Sequence, residues 1–106
     1  MVATGGEDGS LMFWDVRTGR SVRTISTAHF DPVSSVEFHR DASIVLTAST
    51  DGLCRIWDVS TGNLLKTLVE QKNPSVGHAR FSPNGRYILV SHMNGIVQLM
   101  KLLYSN

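Results

Sequence analysis

The chain has 106 residues, 42% of them hydrophobic and 18% charged, a balance that fits one globular domain and argues against a disordered or multidomain polypeptide. Its formal net charge of +1 lacks the concentrated basic footprint with which proteins hold nucleic acid, so no direct nucleic-acid partner is expected. A single cysteine, Cys54, excludes an internal disulfide and suits a reducing, intracellular setting, and no apolar run is long enough to span a bilayer, so no membrane partner is expected.

Short apolar runs rich in Val, Ile, Leu and aromatics alternate with turn residues, which is the pattern of strands and not of helices. In chain order they predict strands at Val2–Gly5, Leu11–Trp14, Ser21–Ile25, Val33–Phe38 and Ile44–Ala48, then Leu53–Trp57, Leu64–Leu68, Val76–Phe81, Tyr87–Ser91 and Ile96–Leu102. The N-terminal residues show no basic segment followed by an apolar run, so no secretory signal is read there. Asp8-Gly9, Asp51-Gly52 and Asn94-Gly95 each offer two residues tolerant of positive φ, as tight antiparallel hairpins require. Ser82-Pro83-Asn84-Gly85 and His39-Arg40-Asp41-Ala42 read as turns, and Thr18-Gly19 and Thr61-Gly62 close two further connections. The strand around Ile44-Val45-Leu46 is apolar on both faces, which predicts a sheet covered on both sides.

The stretch Glu7–Arg20 recurs as Thr50–Asn63, with Asp8 and Trp14 each 43 residues before Asp51 and Trp57. A third, eroded copy carries Asn94-Gly95 at the turn. Self-similarity at this spacing with a Trp-Asp pair marks the four-stranded blade of a propeller. The expected fold is all-β: a partial β-propeller of about two and a half four-stranded antiparallel blades. Residues 1–25 form a partial blade, 33–68 a complete one and 76–102 a partial, degenerate one. Closed rings hold roughly 4–8 blades, and an end blade cannot cover its own face, so the remaining blades of a larger propeller are expected as partners.

The runs His29–Phe38 and Thr50–Asp58, with Asn73–Val76 and Phe81–Leu89, resemble the WD-repeat family, and within it a seven-bladed scaffold of histone lysine methyltransferase complexes. The resemblance implies a side-chain relay within each blade. The second copy offers His29, Thr47, Asp51 and Trp57: the indole can donate to the hydroxyl, the hydroxyl to the imidazole, and the imidazole to the carboxylate. This set looks like a hydrolytic triad, yet Thr47 lies within a strand and not on a nucleophile elbow, so it reads as bracing. The first copy keeps Thr4, Asp8 and Trp14; the third has Lys72, Val90, Asn94 and Met100 and so lacks the relay. His39, His78 and His92 have no metal-ligand spacing and read as ordinary surface or strand residues, Cys54 as a buried apolar one; no metal, cofactor or catalytic residue is expected.

The resemblance further implies a non-catalytic protein–protein scaffold in the nucleus, binding methyltransferase-complex subunits or a histone tail. It implies a peptide-binding face flanked by Asp31, Pro32, Ser34, Glu7 and Thr50, with Glu7 and Thr50 standing where the family carries aromatics. It implies an opposite-face groove at Asn84, Tyr87 and Leu99. Alternatives are a WD-repeat adaptor of another complex, as a ubiquitin-ligase substrate receptor or splicing subunit, or an inactive truncated copy. Met100-Lys101 departs from the expected Trp-Asp pair, and Leu102–Asn106 does not continue the pattern.

Overall fold

The computed structural model describes residues 1–68 and 74–102. These form ten strands: β1 (Val2–Gly5), β2 (Leu11–Asp15), β3 (Arg20–Ile25), β4 (Val33–Phe38), β5 (Ile44–Ser49), β6 (Cys54–Asp58), β7 (Leu64–Thr67), β8 (Val76–Phe81), β9 (Tyr87–His92) and β10 (Val97–Lys101). They make three antiparallel meanders, β1-β2-β3, β4-β5-β6-β7 and β8-β9-β10. The chain is therefore all-β with the sheets of a partial propeller. No helix among the described residues is long and apolar enough to cross a membrane.

The 43-residue period reaches into the backbone. β4, β5 and β6 share their bounds with β8, β9 and β10 at that offset. The irregularities repeat as well: a shift at Val33/Ser35 recurs at Val76/His78, and one at Phe13/Trp14 recurs at Ile56/Trp57. Such shifts bend a strand and sharpen its twist, so their recurrence gives successive sheets the same curvature.

Two strands start one residue later than the sequence predicts, for one reason. Leu53 and Ile96 give their amides to the turn carboxylate of Asp51 (2.8 Å) and the turn amide oxygen of Asn94 (3.1 Å), so neither joins the ladder. Strand pairing resumes at Cys54 and Val97.

β5 is buried at all six positions, as its two-faced apolar run predicts. Ile44, Leu46 and Ala48 pack with Cys54, Ile56, Val76, Ala79, Ile88 and Val90 between the second and third sheets. Val45 and Trp57 pack with Leu11, Phe13 and Ala28 between the first and second. The middle sheet is thus the shared wall of two cores. The outward face of the third sheet has no such cover within the described residues: Leu89 is 50% exposed, Val97 58% and Leu99 69%.

Side chains also tie the inner strands together. Ser34 Oγ donates to Val76 O at 2.5 Å, Ser35 Oγ accepts from Ala79 N at 3.1 Å, and Glu37 Oε1 accepts from Phe81 N at 2.6 Å. These bonds satisfy one carbonyl and two amides of β8 that its pairing with β9 leaves outward, which closes a strand edge without another strand.

Candidate binding rim and the relay beneath it

Tight turns and the β3–β4 loop bring one end of all three sheets into a hydrogen-bonded rim. Val33 N donates to Gly6 O at 3.0 Å, Thr50 N to Pro32 O at 3.1 Å, Ser75 Oγ to Thr50 O at 2.7 Å, and Met93 N to Ser75 O at 2.8 Å. Val33–Gly6 and Ser75–Thr50 join the turn of one sheet to the start of the next, and Thr50–Pro32 and Met93–Ser75 join a turn to the entry loop of its own sheet. Glu7, Asp31 and Pro32 are exposed on this rim, and Thr50 is half-buried beside them. Ser34 lies just below, half-buried in β4, its hydroxyl spent on the third sheet.

Beneath the rim the four relay residues of the second sheet meet. Trp57 Nε1 donates to Thr47 Oγ1 at 2.9 Å, and Thr47 Oγ1 lies 2.7 Å from His29 Nε2. His29 Nδ1 lies 3.0 Å from Asp51 Oδ2. One protonation pattern satisfies every member: the hydroxyl proton goes to Nε2 and the Nδ1 proton to the carboxylate. Asp51 also accepts Phe30 N at 3.2 Å and Leu53 N at 2.8 Å, so the carboxylate anchors both the loop and the hairpin turn. His29 and Thr47 are fully buried. Burial holds the His29 imidazole below its ordinary range; the charge and hydrogen bond of Asp51 oppose this, and the Arg55 charge adds to it.

The arrangement braces the fold. Thr47 Oγ1 is buried in mid-strand and already engaged by a donor and an acceptor, so it has no lone pair directed to a cleft where a substrate could sit. In the first sheet Trp14 Nε1 donates to Thr4 Oγ1 at 2.9 Å, and Asp8 Oδ1 accepts Ser10 N at 3.0 Å; the Ser10 side chain first, and its amide second, draw the Asp8 carboxyl below the usual range. In the third sheet Val90 is buried and Met100 half-buried, apolar at the matching positions; Lys72 lies outside the described residues.

Two histidines do more than their sequence reading implies. His92 is a strand residue, the last of β9, and is buried, with Nδ1 2.9 Å from Pro74 O and Nε2 2.6 Å from Gln98 Oε1. It serves as Ser49 does in the second sheet, where Ser49 Oγ donates to Asp31 O at 3.1 Å and Pro32 O at 2.9 Å. Both hold the loop ahead of an inner strand, and the 43-residue offset between Ser49 and His92 was the available signal. His39 is also no free surface group: Nε2 reaches Gly85 O and Nδ1 reaches Asp41 Oδ1, each at 3.0 Å, and its ring meets Phe81 edge-on. It bridges the second and third sheets at the end away from the rim. His78 is exposed on β8, as read from the sequence.

Of the groove residues, Asn84 caps its own turn, 2.7 Å from Ser82 Oγ and 2.9 Å from Arg86 N. Tyr87 and Leu99 are exposed on the open face of the third sheet, one register step apart, since Tyr87 opposes Lys101. Leu99 is not the core leucine that an apolar strand suggests. No group of His, Cys, Asp or Glu among the described residues is placed to hold a metal ion.

The WD domain, G-beta repeat family matches residues 19–58 and again 62–99. Each matched unit spans the outer strand of one sheet and the inner three of the next, so consecutive sheets are stitched by the repeat itself. No curated protein matches the chain. Two successive matches covering most of its length, on sheets that repeat with the same period, place this chain in the WD-repeat family, whose domains are generally non-catalytic protein-interaction modules.

Proposed function

We propose that this chain is a nuclear scaffold that displays its rim to a basic peptide, in the manner of WD repeat-containing protein 5, whose complexes methylate histone lysines. The interaction role follows from the family. The finer reading rests on the residue runs His29–Phe38, Thr50–Asp58 and Phe81–Leu89, and on one structural observation: Glu7 and Asp31 are both exposed on the hydrogen-bonded rim.

Two carboxylates there suit a lysine- or arginine-bearing tail. Where the family carries aromatics, Glu7 and Thr50 exchange stacking for charge and hydrogen bonding, so binding is expected to be weaker and more sensitive to salt. The mechanism is display: the relay and the turn network hold the loops rigid, and the partner docks without a large ordering cost.

Capture from nuclear extract with the tagged chain tests the reading. Recovery of methyltransferase-complex subunits, reduced by Glu7→Gln with Asp31→Asn, supports it. Recovery of ubiquitin-ligase or splicing subunits alone would sink it.

A further inference from the structure

Phe30 is 76% exposed, more than any other large apolar side chain among the described residues. It sits in the loop that joins β3 to β4, and the sheets on both sides of that loop are present. The loop is held from both sides. His29 N donates to Gly9 O at 3.0 Å and Phe30 N to Asp51 Oδ2 at 3.2 Å, while Ser49 Oγ donates to Asp31 O at 3.1 Å. The backbone therefore cannot swing the ring back to the core, where the neighbouring His29 is already fully buried. Such a ring, held in water with only its own side-chain torsions left to fix, loses little entropy when a partner covers it.

The charges around the loop have one sign. Gly9 lies against the carbonyls of His29 and Asp31, which sets the Glu7-Asp8-Gly9 turn beside the loop. Glu7, Asp8 and Asp31 are all exposed. The rim segments 5–10, 26–33, 49–53, 74–76 and 91–96 contain no lysine or arginine. Arg55 reaches the loop from β6, but it is half-buried and gives Nη1 to Ala28 O at 2.7 Å. An anionic group would be repelled here, and a purely apolar one would strip water from carboxylates without pairing them. A cation gains twice, from the ring face and from the carboxylates.

We propose that Phe30 is a specificity-determining residue of the rim, its ring face covering the cationic end of a lysine or arginine side chain of the partner while Asp31 and Glu7 hold the charge. The proposal rests on the basic-peptide reading above and adds a contact to it. Carboxylates by themselves attract any cation, including the salt of the medium. The ring favours one that brings an alkyl or weakly hydrated surface of its own. It therefore separates a side chain from a simple ion, and its contribution survives high salt.

The probes are short peptides that alternate glycine with lysine, with arginine or with glutamine, titrated onto the full chain and followed by the ring resonances of Phe30 in NMR. Both cationic peptides are expected to move those resonances, and the glutamine peptide to leave them in place. Phe30→Leu, which keeps the apolar bulk and removes the ring face, should weaken cationic binding about two- to fivefold, the scale of an exposed cation–π contact. That loss should persist in high salt, where Glu7→Gln with Asp31→Asn matters less, and Phe30→Tyr should leave binding intact. A larger loss for the arginine peptide assigns the ring to a guanidinium, a larger loss for the lysine peptide to an ammonium. Cationic binding that Phe30→Leu leaves unchanged overturns the proposal and spares the basic-peptide reading, whereas failure of both cationic peptides to bind overturns both. Equal movement by the glutamine peptide overturns the proposal as well.

Discussion

Val45 and Leu46 are neighbours in the chain, both fully buried, and they belong to different hydrophobic cores. Their backbone is the wall between the first and third sheets. Leu46→Ala should therefore loosen the second–third interface and cost about 2–5 kcal/mol, as large-to-small changes in packed cores do. Leu99→Ser, on the open face of the third sheet, should cost less than about 0.5 kcal/mol and raise solubility. Urea denaturation of both variants checks this, and equal midpoints would contradict the two-core arrangement.

The relay makes stability depend on pH in a predictable direction. Burial lowers the His29 pKa in the folded chain, so between its folded value and the unfolded value of about 6.5 the unfolded state binds more protons. The contribution of neutral His29 is complete above about pH 6.5 and is lost as pH falls from there through the folded pKa, by at most about 1.4 kcal/mol per pH unit. Melting temperatures between pH 7.5 and 5.5 should fall, and the fall should be shallower in His29→Gln, which has no titrating group at that position. A steeper fall in the variant would exclude His29 as the source.

The repeat itself identifies a strained backbone position. Ala42 has φ 61°, whereas the residue 43 positions later is Gly85 with φ 74°, and each closes the same turn by donating at 2.8 Å to the carbonyl three residues back. Ala42→Gly should stabilise the chain by about 0.5–1 kcal/mol, as relief of a left-handed conformation outweighs the added freedom of the unfolded state. The reverse change at Gly9 is forbidden twice over: φ is 84°, and a Cβ would stand 2.1 Å from His29 O. Gly9→Ala is expected to abolish cooperative melting, which circular dichroism reads directly.

Cys54 lies in the core between the second and third sheets, and burial raises its thiol to about 12. Iodoacetamide at pH 8 should therefore label the folded chain very slowly, and labelling should rise through the urea unfolding transition. Rapid labelling without urea would show that the two sheets separate in solution.

Strand order, the turn positions and the two-faced burial of β5 were legible because each follows from local chemistry. An Asp-Gly or Asn-Gly pair marks a turn, although only Gly9, Gly52 and Gly95 take positive φ there and the residue before each does not. An unbroken apolar run needs cover on both faces. The relay was legible through the resemblance to the WD-repeat family, and the 43-residue offset then matched Thr4, Asp8 and Trp14 to Thr47, Asp51 and Trp57. His39 and His92 were not. Their partners, Gly85 O, Pro74 O and Gln98 Oε1, are mostly backbone carbonyls, which every residue type possesses and no pattern of letters distinguishes. The same limit applies to Leu99, whose apolar character suggests a core, while its exposure depends on which sheet face has a neighbour. Periodicity decided which strands exist and in what order they pair, because hairpin geometry is set within a few residues. Burial and the bonds between sheets were decided only by stacking, because they depend on surfaces up to 46 residues apart in the chain.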